Sequence, residues 1–418
     1  MVKSPNFPIR RIPSRQQIFT LLGNRTKLNQ NGSKSYRRIV SALTIDDLRS
    51  LSQRRVPKAV FNYVDGGADS EKTLKTNTNA LRNYQFRPHV LRPIHNVAIN
   101  TKILGKEVSA PIVLAPAGFT RMLHPSGEVA AAQASARLGL IHTLSTVGTV
   151  SPEDLVKYVP TGRKWFQLYL TKDKSISSDL LMRAKNSGFE ALVLTVDTPV
   201  GGRKLRDIES GFSLPPNVSF RSIIDMARHP RWCFNAISTL PLDLYISKYF
   251  HSDGGMSSPR LMDCFKNDNS SINDIEWVRN NWSGPLLVKG VLRNDDAKAI
   301  ISTGVDGLVV SNHGGRQLDQ SIPTIDVLKA IREEVPVDRT LLIDSGFRTG
   351  RDVAVAIGLG ADAVMIGRAY LYGLMAGGSN GVEHAIKLIT SELTHTMSLL
   401  GVTKISDISE DFLVRGRP

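Results

Sequence analysis

The sequence predicts an α/β protein with the architecture of a TIM (β/α)8 barrel, an N-terminal helical cap and a long connection after the fourth strand. Three observations lead to this prediction. Eight short apolar runs follow one another along the chain, and most of them precede a stretch compatible with a helix. In three of the eight, a glycine and then an acidic residue come directly before the apolar run, as in residues 304–310 (GVDGLVV). Runs that are apolar throughout are typical of parallel strands covered on both faces by helices.

The eight predicted strands lie between residues 112 and 366. They span residues 112–115, 141–144, 165–168, 191–196, 286–288, 308–310, 341–343 and 363–366. Eight β/α units favour a closed barrel over an open, doubly wound sheet. Before the first strand, the stretch TIDD that begins at Thr44 predicts a capped helix. We expect residues 57–105 to cover the bottom of the barrel or to flank it.

The connection between the fourth and fifth strands, residues 197–284, is far longer than a β/α unit requires. Such a connection is a lid, a docking segment or disorder. Its aromatic and apolar residues lie among basic ones and include Trp232, Phe234, Leu242, Tyr245 and Phe250. This composition suits contact with a membrane surface, and a lid packed on the barrel is the alternative.

Positive charge is concentrated at the N-terminus. Residues 1–45 hold nine Lys or Arg and no acid, which leaves 15 − 9 = +6 for the remainder of the chain. We interpret residues 1–42 as a flexible basic arm and residues 43–418 as one barrel domain. The arm either contacts anionic lipid or is merely solvated, and we expect no nucleic-acid partner.

Three features bear on location. Pro5, Pro8 and Pro13 interrupt the amphipathic helix of a mitochondrial transit peptide, so we expect a cytoplasmic protein, peripheral at the inner membrane if it binds lipid. A mitochondrial location is the alternative in a eukaryote. Only two cysteines, Cys233 and Cys264, are present, which excludes a disulfide framework. No apolar segment is long enough to span a bilayer.

Polar residues fall where a barrel carries its chemistry, at the carboxyl ends of the strands. His313 and Arg316 follow the sixth strand around a Gly-Gly bend, so both could face one ligand, with Arg316 binding a carboxylate and His313 handling a proton. Lys289 ends the fifth strand and either meets an anionic group or extends to solvent. After the seventh and eighth strands, Gly346, Arg348, Gly367 and Arg368 predict a phosphate site.

Six motifs strongly resemble the FMN-dependent α-hydroxy acid dehydrogenase and oxidase family, most of all its bacterial L-lactate dehydrogenase branch. They are FNYVDGGAD (61–69), FQLY (166–169), LTVDTP (194–199), LVKG (287–290), SNHGGRQLD (311–319) and IGRAYLYG (366–373). The resemblance runs from about residue 43 to residue 411. It implies FMN as cofactor and the oxidation of an L-2-hydroxy acid, L-lactate first, to the 2-oxo acid. No metal site is expected.

The resemblance also implies roles for particular residues. His313 would be the active-site base, oriented by Asp197, and Lys289 would lie beside the edge of the flavin where negative charge develops. The substrate-binding residues would be Tyr63, Tyr169, Arg316 and either Arg203 or Lys204. The FMN-binding residues would be Ala117, Gly118, Ser145, Gln167, Thr195, Lys289, Ser311, Asp344, Gly346, Arg348, Gly367 and Arg368.

Two positions depart from the family pattern. Lys204 stands where the family usually has a second substrate-binding arginine, and lysine cannot make the flat bidentate grip of a guanidinium. Ser345 replaces the first glycine of the usual Asp-Gly-Gly, which we expect to matter less because Gly346 remains. Gly118 is the residue typical of dehydrogenases, which predicts a quinone or another carrier as electron acceptor.

Alternative functions remain open at this point. The chain could be a 2-hydroxy acid oxidase that uses oxygen, or another FMN- or phosphate-binding barrel such as a nucleotide dehydrogenase or an isoprenoid diphosphate isomerase. It could also be a barrel without catalysis whose basic arm binds lipid or nucleic acid. The family is often tetrameric, which implies a homo-oligomer.

Overall fold

The structure, a computed structural model, describes residues 34–211, 220–239, 244–253, 264–265 and 270–416. Eight parallel strands close into a barrel, in which each strand pairs with the next one along the chain and the eighth pairs with the first. These strands are β1 (Ile112–Leu114), β2 (Ile141–Ser145), β3 (Arg163–Leu168), β4 (Ala191–Thr195), β5 (Leu286–Val291), β6 (Gly307–Val310), β7 (Thr340–Ile343) and β8 (Ala363–Ile366). The predicted TIM barrel is therefore confirmed.

The interior of the barrel is a packed apolar core. Alternate residues of each strand point inwards, among them Val113 on β1 and Val193 on β4, and the residues between them pack against the surrounding helices. A hairpin of two short strands, Thr101–Ile103 and Lys106–Val108, closes the amino end, where Ile103 and Val108 join the interior cluster. This part of the expected bottom cover is confirmed.

Sixteen α-helical segments of more than two residues lie in the ranges above, and the last of them is broken by a kink at Gly377 and Gly378. They are α1 (Lys34–Val40), α2 (Ile45–Gln53), α3 (Lys58–Asp65), α4 (Lys72–Arg82), α5 (Thr120–Leu123), α6 (Gly127–Arg137), α7 (Pro152–Tyr158), α8 (Lys174–Asn186), α9 (Leu205–Glu209), α10 (Phe220–Ala227), α11 (Pro230–Ser238), α12 (Asn273–Asn281), α13 (Asn294–Ser302), α14 (Thr324–Glu334), α15 (Gly350–Gly358) and α16 (Arg368–Leu400). A short strand, Tyr84–Phe86, pairs with Leu413–Arg415 near the end of the chain. Three 3₁₀ helices, Tyr245–Asp253, Ile405–Asp407 and Glu410–Phe412, complete the described elements.

The predicted cap at Thr44 is confirmed as the start of α2. The Thr44 hydroxyl accepts a hydrogen bond from the Asp47 N–H, and the Asp47 carboxylate accepts one from the Thr44 N–H, which is a complete capping box. Most of the predicted arm, residues 1–33, lies outside the described residues. Its last part forms α1, and the side chain of Ile39 is buried against the core, so packing begins before the predicted boundary at residue 43.

The start of the region expected at the bottom lies at the opposite end of the barrel. The carbonyl groups of Tyr63, Val64 and Gly66, at the end of α3, accept hydrogen bonds from Arg316 and Arg368. Both arginines follow carboxyl ends of barrel strands, so α3 covers the face where β6 and β8 end. The expectation of a bottom cover is wrong for α3, because the acceptors at its C-terminus pair with guanidinium groups at that face.

The connection after β4 contains α9, α10, α11 and the 3₁₀ helix Tyr245–Asp253, and Leu242 lies outside the described residues. Trp232 anchors α11, because its indole N–H donates to the Met122 carbonyl at 2.9 Å. Phe234, on the same helix, has 64% of its surface exposed. The connection is thus partly packed on the barrel and partly exposed.

Candidate active site

A cavity of about 510 Å³ opens at the carboxyl ends of the barrel strands. Most predicted site residues line it, namely Tyr63, Ala117, Gly118, Ser145, Tyr169, Thr195, Arg203, Lys204, Lys289, His313, Arg316, Asp344, Gly346, Arg348, Gly367 and Arg368. The other three, Gln167, Asp197 and Ser311, lie behind the wall and hydrogen-bond to residues that line it. The structure therefore brings the residues chosen from sequence to a single cavity.

His313 is held between a carboxylate and a phenol. Its Nδ1 lies 3.0 Å from Asp197 Oδ1, and its Nε2 lies 3.4 Å from the Tyr169 hydroxyl. Because the carboxylate accepts at Nδ1, a neutral imidazole keeps its proton there and presents a basic Nε2 on the Tyr169 side. Burial by itself would raise the pKa of Asp197, but the charges of His313 and Lys289 lower it below its ordinary value. The pair is arranged to take up a proton at Nε2.

Lys289 places a buried positive charge on the cavity floor. Its ammonium is 3.1 Å from Asp344 Oδ2 and donates to the Ser311 hydroxyl at 2.8 Å. Burial lowers the pKa of Lys289, yet Asp344 and Asp197 together raise it above its ordinary value. Lys289 is therefore a permanent cation on the floor, and the snorkelling alternative is excluded because its side chain is buried.

Two arginines share one carbonyl group on the rim. Arg316 donates to the carbonyls of Tyr63 at 2.6 Å and Gly66 at 3.1 Å, and Arg368 donates to Val64, Gly314 and Gly66. Burial, followed by the charge of Arg316, lowers the pKa of Arg368 to about 9. Only one terminal nitrogen of Arg316 is used in these bonds, whereas Arg368 donates from all three of its nitrogens. Arg316 is thus the better placed of the two to grip a ligand.

Lys204 is the second cation near Arg316. It precedes α9, its side chain is half-buried in the cavity wall, and its ammonium has no hydrogen-bond partner within the part of the chain that the structure describes. Burial and the charge of Arg316 lower the pKa of Lys204 to about 8, against the opposing effect of Asp207. Arg203 is 74% exposed and lies 3.8 Å from Asp69. Lys204, rather than Arg203, stands beside Arg316.

Comparisons with known proteins agree with this geometry. The family model described as FMN-dependent dehydrogenase matches residues 52–415. The chain belongs to this family.

Among its curated relatives, an L-lactate dehydrogenase of Serratia proteamaculans is 41% identical over 387 residues, which cover 90% of this chain and 99% of that protein. An L-lactate dehydrogenase of Vibrio cholerae is 40% identical over 386 residues, covering 90% of this chain and 100% of that protein. Among solved structures, the monotopic membrane protein (S)-mandelate dehydrogenase has a TM-score of 0.83 and 34% identity, and the match covers 90% of this chain and 100% of that one. The predicted family, and with it FMN as cofactor, is confirmed.

The cavity floor fits the polar edge of a flavin. Gln167 Nε2 and Thr195 Oγ1 are buried and have no hydrogen-bond partner among the residues that the structure describes, although buried polar atoms are normally paired. Gln167 lies near the end of β3 and Thr195 ends β4, and β4 pairs with β5, the strand that carries Lys289. A flat ring whose edge bears carbonyl oxygens and nitrogens would supply the missing partners. These residues are therefore suited to hold the isoalloxazine of FMN.

A phosphate group fits at the other side of the cavity. Gly367 is the N-terminal cap of the first segment of α16, which ends at a kink at Gly377 and Gly378, and the free backbone N–H groups and the helix dipole at this cap favour an anion. A Cβ placed on Gly367 would meet nothing closer than 4.0 Å, which shows open space at that point. The Arg348 guanidinium lies nearby in the wall, and its only direct hydrogen bond in the described region goes to the Phe347 carbonyl.

Sequence reasoning missed two residues that fix the rim. Arg206 donates to Asp65 at 2.9 Å and to Glu71, which fastens the start of α9 to α3 and α4. Gln317 donates to the carbonyls of Asp197 and Val200. Gln317 belongs to the SNHGGRQLD motif, so its position offered a signal, whereas nothing local to Arg206 identifies a partner 141 residues away.

Asp207 is a carboxylate within the cavity wall that was also missed. Its carboxylate interacts electrostatically with Arg316, Lys204 and Tyr63. Burial raises the pKa of Asp207, and the two cations oppose that effect. Asp207 is thus the local counter-charge to the two cations.

Proposed function

We propose that this protein oxidises L-lactate to pyruvate with FMN and passes the electrons to a quinone or another carrier. The family establishes FMN-dependent oxidation of L-2-hydroxy acids, and the choice of lactate follows the names of the relatives. One observation carries the proposal. The basic nitrogen of His313, the cation Lys289 and the guanidinium of Arg316 serve the same cavity.

The substrate carboxylate would bind to Arg316 and Lys204. Arg316 is held by the carbonyls of Tyr63 and Gly66, so little conformational entropy is lost when it grips an anion. Lys204, which stands beside Arg316, adds a single-point donor. Tyr63, whose ring stacks 5.1 Å under the Arg316 guanidinium, would complete the carboxylate site.

His313 would remove a proton from the substrate at Nε2. Asp197 would stabilise the imidazolium that forms, since its carboxylate accepts from Nδ1. Tyr169, at 3.4 Å from Nε2, would hydrogen-bond to the hydroxyl group that is oxidised. FMN supplies the two-electron acceptor when bound. Lys289 would stabilise the negative charge that accumulates beside it, because its ammonium is buried and permanent.

Residues of the floor and the far wall would hold FMN. Ala117, Gly118, Ser145 and Thr195 would face the ring, and Gln167 would reach the ring edge from its place behind Ser145. The phosphate would bind at Gly346, Arg348 and Gly367, with Arg368 supporting the rim through its backbone contacts and Asp344 and Ser311 holding Lys289. Gly118 supports a dehydrogenase over an oxidase, because glycine at this position is typical of the dehydrogenases of the family. The surroundings also leave no room for alanine, since a Cβ there would lie 2.5 Å from Val147 Cγ2 and 2.9 Å from the Val147 carbonyl oxygen.

Anaerobic mixing tests the proposal. The FMN-loaded protein is mixed with L-lactate, glycolate or L-mandelate while the flavin absorbance is followed, and oxygen is then admitted. We expect L-lactate to bleach the flavin fastest and oxygen to restore the colour slowly. Faster bleaching by another acid would reassign the substrate, and rapid recolouring would make the protein an oxidase.

A peripheral membrane contact is a second proposal, supported by a separate surface. Within the described residues, no helix is long and apolar enough to cross a bilayer. The connection after β4 nevertheless exposes Ile223, Ile224, Phe234 and Ile237 on α10 and α11, next to Arg228 and Arg231. Exposed apolar groups beside basic ones suit an anionic lipid surface. The cytoplasmic location and the homotetramer stay predictions.

Vesicle sedimentation tests this contact. We expect the full chain to sediment with vesicles that contain phosphatidylglycerol, and a Phe234→Asp, Ile237→Asp double variant to stay in the supernatant. The matched control is Val337→Asp, because Val337 is 97% exposed elsewhere on the protein. Equal sedimentation of the double variant and the control would overturn the contact.

A further inference from the structure

Ser345 occupies a backbone conformation that glycine normally adopts. Its φ is +79°, in the left-handed region, and it lies between Asp344 and Gly346 in the wall of the cavity. A side chain in this region is strained, and such strain persists only where the surroundings support it. The support comes from the hydroxyl group. Ser345 is buried, and its Oγ takes part in two hydrogen bonds.

Those two bonds close a ring around Lys289. Ser345 Oγ donates to Asp344 Oδ1 at 2.7 Å and accepts from the Gly314 N–H at 3.0 Å. Asp344 Oδ2 lies 3.1 Å from Lys289 Nζ.

The ring returns to the same loop on its other side. Lys289 donates to Ser311 Oγ at 2.8 Å, which in turn accepts from the His313 N–H at 3.0 Å. The cation on the floor and the loop that carries the base are therefore joined through two serine hydroxyls.

The position of the Ser345 proton decides how Asp344 shares its charge. A donor on Oδ1 stabilises that oxygen, so Asp344 depends less on Lys289 for its own stabilisation. Without this donor, the carboxylate would draw the Lys289 ammonium more strongly and would be free to rotate. Less of the positive charge would then be directed to a ring lying above it.

We propose that Ser345 is a positioning residue which raises the reduction potential of bound FMN. Its hydrogen bond to Asp344 would weaken the pairing of that carboxylate with Lys289, so that more of the Lys289 charge acts on the flavin. The inference rests on the proposed placement of Lys289 beside the flavin. On gaining two electrons and one proton the ring carries a negative charge, and a less neutralised cation next to it favours this form.

Two variants separate the hydroxyl from the backbone. Ser345→Ala removes both hydrogen bonds and keeps a Cβ at positive φ, whereas Ser345→Gly removes both bonds and relieves the strain. Ser321→Ala is the matched control, because its hydroxyl bonds to the Leu318 carbonyl in an exposed part of the connection after β6, which also carries Gly314. The two-electron potential of each FMN-loaded protein is measured by equilibrium titration against a reference dye, and the affinity for oxidised FMN by fluorescence.

We expect both Ser345 variants to have a more negative potential than the parent and the control. The ratio of affinities for reduced over oxidised FMN should fall by about threefold to tenfold, where tenfold corresponds to about 30 mV for a two-electron couple. Thermal stability should differ between the two variants, with Ser345→Gly above Ser345→Ala, while their potentials agree.

Three results would overturn the inference. One is an unchanged potential in both variants, and another is a shift in Ser345→Gly alone, which would assign the effect to the backbone. The third is equal weakening of oxidised and reduced FMN binding, which would mean that Ser345 contacts FMN without acting through Lys289. None of these titrations contains a hydroxy acid, so a wrong substrate assignment would leave the result unaffected.

Discussion

The strand ends and the connection after β4 supply charged groups to one cavity but hold them in different ways. His313 and Lys289 lie at the ends of β6 and β5, and each has a carboxylate partner at the end of another strand. Lys204 lies in the connection and makes no salt bridge in the described region, and its counter-charge, Asp207, belongs to the same connection rather than to a strand. Groups that the strands hold in place are preorganised for chemistry. The cation on the connection, in contrast, is available to pair with the carboxylate of a bound ligand.

Removal of the strand-end base should have the largest effect. We expect FMN-loaded His313→Gln to keep its yellow colour and to be bleached by L-lactate roughly 10²–10⁴ times more slowly, the usual contribution of a positioned base. Stopped-flow absorbance under anaerobic conditions measures this rate. His384→Gln is the control, since His384 lies on α16, where its Nε2 bonds to the Ala42 carbonyl, and it does not line the cavity. Bleaching of His313→Gln at the parent rate would show that His313 is not the base of the reaction.

The second-largest effect should come from loosening the connection after β4 from the barrel, which Asp65 holds through Arg206. Asp65 accepts hydrogen bonds from Arg49, Arg206 and Tyr372, which outweigh the effect of burial and lower its pKa to about 2. We expect Asp65→Asn to reduce the free energy of unfolding by about 2–3 kcal/mol, less than for a fully buried pair because both arginines are partly exposed. Urea unfolding at neutral pH measures the loss.

The same carboxylate predicts an acid dependence. Because the folded pKa of Asp65 is below its ordinary value, its contribution is present at neutral pH and is lost as the pH falls from about 4 through about 2. The parent should therefore lose its advantage over Asp65→Asn across that interval. A constant difference between the two proteins would show that ionisation of Asp65 does not matter.

A Cβ at Gly118 should destabilise the floor. Its Cβ would meet the Val147 carbonyl oxygen, which already accepts from the Phe119 N–H and cannot easily move. We expect Gly118→Ala to lower the free energy of unfolding by about 1–3 kcal/mol, the usual cost of overpacking. Adding Val147→Ala removes the contact with Cγ2 and should recover part of the loss, which a double-mutant cycle in urea would reveal. Strict additivity would contradict the clash.

The smallest effect should come from substitution of Lys204, the cation in the connection after β4. The Lys204 ammonium is charged below its pKa of about 8 and neutral above it, so kcat/KM for L-lactate should fall as the pH rises through that value. We expect Lys204→Arg to move this alkaline limb upwards and to lower KM by about threefold to tenfold, because arginine stays charged and binds a carboxylate bidentately. If the alkaline fall of kcat/KM stays at the same pH in Lys204→Arg, Lys204 does not take part in substrate binding.

Prediction from sequence succeeded where one local pattern carries the information. Buried apolar runs located all eight strands, and barrel geometry then placed His313 and Lys289 at one end. The position of α3 was not predictable, because it depends on Arg316 and Arg368, about 250 and 300 residues further along the chain. The Ser345 ring likewise joins β5, β6 and β7, and no short stretch contains it.

A crystal structure of the FMN-loaded protein with pyruvate would test most directly whether His313, Lys289 and Arg316 act on one ligand. We expect the pyruvate carboxylate between Arg316 and Lys204, its keto oxygen near His313 Nε2 and the Tyr169 hydroxyl, and the flavin ring beside Lys289. Pyruvate bound away from His313, or a flavin that leaves Lys289 on the opposite side of the cavity, would contradict this arrangement.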